Sequence, residues 1–267
     1  MKLETISRTP AKAHSTPLLF VHGSWHGAWC WEEHYLDFFA ERGFAAHALS
    51  LRGHGGSEGR DRLRWTRMRD YVDDVAQIAG SMSAPPVVIG HSMGGFIVQK
   101  YLERHRPPAA VLLASVPPQG AFSTALKLGG RHPALFLKAN LTMTMYPMVS
   151  TPALAREAFF SDDLPEAELN AYWAKLQDES FTGFLDMLML DLPKPVKAPP
   201  PVLVLGAECD AIFGPDAVNA TARRFGVNAE WLPGVAHDAM LDTGWRSAAE
   251  AILAWLNQTL PADPFSH

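Results

Sequence analysis

The stretch Pro85-Pro-Val-Val-Ile-Gly-His-Ser-Met-Gly-Gly-Phe-Ile-Val-Gln-Lys-Tyr-Leu-Glu-Arg104 decides how this chain is read. Val87, Val88 and Ile89 form a short apolar run of the kind buried in a parallel sheet. Gly90-His-Ser92-Met-Gly94 follows, and beyond Gly95 the residues Phe96, Ile97, Tyr101 and Leu102 recur at helical spacing. Strand, G-x-S-x-G, helix predicts a tight turn that lifts the Ser92 hydroxyl above the end of the strand. Side chains two residues before and after the serine would clash in such a turn, which accounts for Gly90 and Gly94. The helix that follows points its amide-rich N-terminus at any negative charge forming beside Ser92. The bland alternative is a glycine-rich turn with an incidental serine, and the rest of the chain has to decide between the two.

Working outward, 267 residues suit one large domain or a core carrying an insertion. A hydrophobic content of 48% against 19% charged residues describes a globular protein with ample core. The net charge of -5 offers no argument for nucleic acid or an anionic membrane surface as partner. The opening MKLETISRTP has no apolar core of a signal peptide, and no later run is long enough to span a bilayer, so a cytoplasmic location is the expectation. Cys30 and Cys209 lie too far apart in sequence for a disulfide framework or a metal spacing, and both read as small buried apolar residues.

Before the elbow, Leu3 to Arg8 is a weak edge-strand signal, and Pro17-Leu-Leu-Phe-Val-His22 is a buried strand. His26-Gly-Ala-Trp-Cys-Trp-Glu-Glu-His34 enters a helix expected to run to about Arg42, where Gly43 caps it. Phe44 to Leu49 reads as a strand, Arg52-Gly-His-Gly-Gly-Ser57 as a glycine-rich loop, and Met68 to Ser81 as an amphipathic helix. After the elbow helix, Ala109 to Ala114 gives another strand. Alternation of this kind implies a mostly parallel sheet with helices on both faces. From Val116 to about Pro195 only helix signals remain, among them the N-cap pair Thr151-Pro152 and a helix over Ser180 to Asp191. Prolines bracket this segment. It reads as a helical cap, residues 117–198, inserted between two core segments, 1–116 and 199–267. The second contributes strands at Val202–Leu205 and Ala229–Leu232, and helices at Pro215–Phe225 and Trp245–Leu260.

A serine hydroxyl is a poor nucleophile until a base takes its proton, and that base needs an orienting acid. In open parallel sheets such groups gather at the carboxyl ends of strands. This rule nominates Asp210, just past Val202–Leu205, and His237, after the last strand. Asp216 falls in a first helical turn, and Asp238 would face away from the imidazole if His237 turns toward Ser92. The backbone N–H groups of Met93 and Ser24 are the expected donors to an oxyanion. His22 is expected to fix its loop by hydrogen bonds, and His22, His26 and His34 lack the carboxylate or thiolate cluster of a metal site. No cofactor is expected. Trp25, Met143, Met145 and Met187 are candidates to line a substrate pocket.

Taken together, HGSW, RGHGGS, GHSMGG and the Asp210 and His237 loops resemble the α/β-hydrolase superfamily over nearly the whole length. The opening Val21-His-Gly-Ser-Trp-His-Gly-Ala-Trp-Cys-Trp31 is similar to the plant methylesterase and hydroxynitrile lyase group. That resemblance implies a largely parallel sheet with a small helical cap, and hydrolysis of small esters or cleavage of cyanohydrins. The chain departs from the lyases, which carry a lysine after the catalytic histidine where this chain has Asp238, and a threonine where it keeps Gly23. Two classes of function follow. The first is a serine hydrolase cleaving a small, largely apolar ester, with thioester, lactone and C–C bond cleavage open on the same apparatus. The second is a non-catalytic ligand-binding protein on a hydrolase fold.

Overall fold

A computed structural model describes residues 1–261; the last six residues of the expected core segment 199–267 lie outside the described residues. Strands β1 (Thr5–Arg8), β2 (Leu18–Val21), β3 (Ala46–Leu49), β4 (Val87–His91), β5 (Ala110–Leu113), β6 (Val202–Ala207) and β7 (Ala229–Leu232) form one sheet among the described residues. Its order is β1-β3-β2-β4-β5-β6-β7, with β1 antiparallel to β3 and every other pair parallel. The four central strands are buried at every position, which is why they read as unbroken apolar runs. Successive residues nevertheless feed different cores. Leu18 and Phe20, Val87 and Ile89, Val111 and Leu113, and Leu203 and Leu205 join one. Leu19 and Val21, Val88, Ala110 and Leu112, and Val202 and Val204 join the other. In the first, Phe20 packs on Trp31 at 5.0 Å and on Phe39 at 5.5 Å between ring centroids. Truncating such a ring costs about 3–5 kcal/mol, since the cavity adds to the lost transfer energy.

The helix expected from His26 to Arg42 is two helices, α1 (Trp29–Glu32) and α2 (Tyr35–Glu41). Helical geometry fails at His34, at φ -140°, where the ring stacks flat on Trp245 at 4.4 Å. Gly43, at φ +87°, turns the chain out of α2 as its freedom at positive φ allows. Helices α3 (Met68–Ser81) and α4 (Met93–Tyr101) follow, and α10 (Pro215–Phe225) and α11 (Trp245–Thr259) close the fold.

Between β5 and β6 the described chain is helical and contains no strand. It forms α5 (Phe122–Arg131), α6 (Pro133–Thr142), α7 (Pro152–Phe159), α8 (Glu166–Trp173) and α9 (Phe181–Leu185). Thr151 caps α7 as expected, its side chain accepting from Leu154 N–H at 3.2 Å. The helix expected over Ser180–Asp191 widens into a π turn at Asp186–Leu190. There the buried Asp186 carboxylate takes Arg67 Nε at 2.7 Å and Met68 N–H at 3.0 Å, anchoring the segment to the start of α3. Lys100 of α4 adds a second tie to Asp191 at 2.7 Å. Cys30 is buried, but Cys209 is exposed, because it falls in the loop past the end of β6 rather than in the sheet. No helix among the described residues is long and apolar enough to cross a membrane.

Candidate active site

β4 ends at His91, α4 begins at Met93, and Ser92 between them takes φ +52°, ψ -115°. A side chain with a Cβ pays for that conformation, so the surroundings must enforce it. They do so from three directions. Ser92 N–H donates to Leu113 O at 3.0 Å, and Ser92 O accepts from Phe96 N–H at 3.2 Å and Val116 N–H at 3.1 Å. The glycines are needed for contact: a Cβ on Gly90 would lie 2.4 Å from Gly94 O, and one on Gly94 2.2 Å from Val21 O.

The loops after β6 and β7 bring two distant side chains to this turn. His237 Nε2 lies 3.0 Å from Ser92 Oγ, and His237 Nδ1 lies 2.8 Å from Asp210 Oδ2. A carboxylate only accepts, so Nδ1 carries the hydrogen and the Nε2 lone pair faces the serine hydroxyl. Asp210 is itself held by Ile212 N–H at 2.7 Å and Phe213 N–H at 2.9 Å, both on Oδ1. Burial of His237 opposes its charged form, but the Asp210 charge and hydrogen bond, with Asp238 nearby, outweigh it and raise the imidazole pKa. Asp242, fully buried and not singled out from the sequence, fixes the His237 loop by accepting from Ala236 N–H at 2.9 Å and Ser161 N–H at 3.0 Å.

Ser24 and Met93 meet beside the serine, with Ser24 Oγ 3.3 Å from Met93 Sδ. Neither backbone N–H donates to another group among the described residues. His22 holds the Ser24 loop as a neutral ring. Its Nδ1 donates to Gly23 O at 2.7 Å and its Nε2 accepts from Leu51 N–H at 3.0 Å. Burial, with His54 close by, pushes the His22 pKa well below the ordinary imidazole value. Gly23 is required by crowding, since a Cβ there would lie 2.8 Å from His91 Nδ1.

A cavity opens over Ser92 between the sheet and the helical segment. Trp25, Met145 and Met187 line it. Met143 does not. It takes the left-handed position that ends α6, at φ +50°, and packs with Ala139, Met145 and Phe181 instead. The lining that sequence did not single out includes Leu128, Phe136, Met148, Phe159 and Glu179. Glu179 is buried among Tyr71, His54 and the Trp25 and Ser180 amides. Burial works against its charge, but His54 and the other donors prevail and lower its pKa, keeping it anionic.

Of the histidines considered for a metal, His22 is engaged as above, His34 stacks on Trp245, and His26 Nδ1 donates to Ser24 O at 2.7 Å. His91, His237 and Asp238 bring donor atoms within 4.8 Å of one another among the described residues. Both His237 nitrogens are already taken by Asp210 and Ser92, and His91 Nε2 donates to His237 O at 2.9 Å. His91 and Asp238 thus lie behind the His237 imidazole. Sequence carried little sign of it, because nothing in local periodicity reveals that a polar residue is buried.

The Alpha/beta hydrolase family matches residues 18–252, so the chain belongs to that family. It is similar to a non-heme haloperoxidase of Rhodococcus erythropolis, 36% identical over 110 residues, 38% of each chain. It is also similar to methyl jasmonate esterase 1 of Vitis vinifera, 31% identical over 88 residues, 32% of this chain and 33% of that protein. These matches span little more than a third of either relative's length. The putative non-heme bromoperoxidase BpoC of Mycobacterium tuberculosis H37Rv shares the fold at a TM-score of 0.78, with 17% identity over 98% of this chain and 97% of that one.

Proposed function

We propose that this protein is a serine esterase acting on a small, largely apolar carboxylic ester through Ser92, His237 and Asp210. The observation that carries the reading is the approach of His237 Nε2 to Ser92 Oγ at 3.0 Å, with Asp210 Oδ2 2.8 Å from the other ring nitrogen. In the first half-reaction His237 takes the Ser92 proton as Oγ bonds to the ester carbonyl carbon. The carbonyl oxygen becomes an oxyanion that accepts from Ser24 and Met93 N–H. The tetrahedral species collapses, the alkoxide leaves with the proton returned by His237, and the acyl group stays on Ser92. Water, deprotonated by the same imidazole, then attacks the acyl carbon; the acyl–Oγ bond breaks, His237 returns the proton to Ser92 Oγ, and the acid is released. Asp210 stabilises the imidazolium formed twice in this cycle and remains ionised itself. The apolar cavity over Ser92 supports an apolar substrate, and the substrate is the only partner this chemistry calls for.

A fluorophosphonate probe tests the reading directly. It is expected to label the wild-type protein and not Ser92→Ala, with p-nitrophenyl ester turnover lost in parallel. Labelling that persists in Ser92→Ala, or no turnover across an ester panel, overturns it.

A further inference from the structure

Two buried carboxylates have no part in the proton transfers above: Glu179 touches one edge of the Ser24–Trp25 peptide, and Asp238 faces His26, which touches the other. Trp25 N–H donates to Glu179 Oε2 at 3.3 Å. The carbonyl on the other side of that bond, Ser24 O, accepts from His26 Nδ1 at 2.7 Å, and His26 Nε2 lies 2.9 Å from Asp238 Oδ2. His26, Glu179 and Asp238 are each at most 2% exposed. The peptide is trans, so its N–H and C=O point in opposite directions and the plane is held at both edges.

We propose that Glu179 and Asp238 are positioning residues, which together clamp the Ser24–Trp25 peptide and so keep the Ser24 N–H aligned for the oxyanion. The proposal rests on the esterase reading, in which that N–H is a donor.

A clamp is needed because Trp25 sits at φ +66°, a left-handed conformation that a residue with a side chain leaves when free to do so. Relaxing Trp25 rotates the Ser24–Trp25 plane about ψ of Ser24, and the Ser24 Cα is then displaced together with its own N–H, which belongs to the preceding Gly23–Ser24 peptide. Each end of the clamp is anchored in a different part of the fold. Glu179 precedes α9 and is itself fixed by Tyr71 OH at 2.9 Å, Ser180 N–H at 2.6 Å and His54 Nε2 at 3.2 Å. Asp238 follows His237, and its own N–H donates to Phe159 O at 2.9 Å. A third tie, Gln177 N–H to Trp25 O at 3.0 Å, comes from the same stretch as Glu179. The donor loop is thus completed by the helical segment on one side and by the His237 loop on the other.

The test replaces one end of the clamp without leaving a lone buried charge. His26→Phe/Asp238→Leu removes both polar partners together, which costs far less stability than removing one. Turnover of p-nitrophenyl butyrate is expected to lose at least about tenfold in kcat, up to the 10²–10³-fold cost of one missing oxyanion donor, with KM within about twofold. Affinity for a trifluoromethyl ketone, whose adduct with Ser92 carries the oxyanion, should fall by the same factor as kcat/KM. Asp238→Asn keeps an oxygen facing His26 and should recover most of what Asp238→Ala loses, measured per folded molecule. Glu179→Ala, at a residue that also lines the cavity, should lower kcat and affinity for the trifluoromethyl ketone in the same way.

Unchanged kcat and inhibitor affinity in the folded double variant overturn the clamp. So does a lowered Tm with kcat per folded molecule intact, since the role is then structural. A wild-type protein that neither turns over the ester nor reacts with a fluorophosphonate removes the esterase reading instead.

Discussion

His91 donates its Nε2 hydrogen to the main-chain carbonyl of His237, 2.9 Å away, so the residue before Ser92 fixes the loop that carries the base proposed to act on Ser92. Burial, with the His237 charge beside it, pushes the His91 pKa down to about 3, so this ring stays neutral and keeps its donor throughout the working range. His237 moves the other way, its pKa raised by Asp210 against the effect of burial.

One consequence is a pH profile with a single histidine limb. Base catalysis needs neutral His237, so kcat/KM should fall as pH drops through a midpoint above the ordinary imidazole value of about 6.5. No second limb from His91 is expected between pH 4 and 9. The same raised pKa favours the protonated folded state. Its contribution to stability is full below about pH 6.5 and fades as pH rises through the folded value. A rate that stays flat well below pH 5 contradicts histidine base catalysis.

Substitutions in the proposed triad should act on kcat and spare the fold. Ser92→Ala or His237→Ala is expected to cost on the order of 10⁴–10⁶-fold, and Asp210→Asn about 10⁴-fold. Circular dichroism and thermal melts should show folded proteins. Half of wild-type activity in Asp210→Asn would send the search to another acid.

Ester cleavage should not be accompanied by appreciable cyanohydrin cleavage. Asp238, which stands where the lyases carry a lysine, is fully buried and faces His26 rather than the cavity. The reason lies in the cavity. Among the described residues no lysine or arginine lines it, and the anion Glu179 does. Cyanide therefore meets no cation on leaving. Mandelonitrile turnover rivalling that of the best ester would refute this.

The same lining predicts a preference for apolar over anionic acyl groups. Leu128, Phe136, Met148 and Phe159 offer hydrocarbon surface, and Glu179 adds a charge that disfavours a second carboxylate. Each added methylene should contribute up to roughly 0.8 kcal/mol in kcat/KM until the cavity is full. The measurement is a p-nitrophenyl ester series of rising chain length beside a carboxylate-bearing analogue. Faster turnover of the charged ester, with no dependence on chain length, contradicts the proposed placement of substrate.

The backbone of this site was legible from local sequence. Gly90, Ser92 and Gly94 specify the turn because its sterics involve neighbours within a few residues, and the parallel sheet follows from apolar runs alternating with helices. Asp210 and His237 could be nominated because strand ends in such sheets converge. Sequence alone did not place Met143, which ends α6 instead of lining the cavity, or break the first helix at His34, whose ring stacks on Trp245 more than two hundred positions away. Nor did it reveal Glu179, His26, His91 or Asp238 as buried groups around the Ser24 loop. A buried polar residue is defined by the partners that satisfy it, and those partners come together only when the chain has folded.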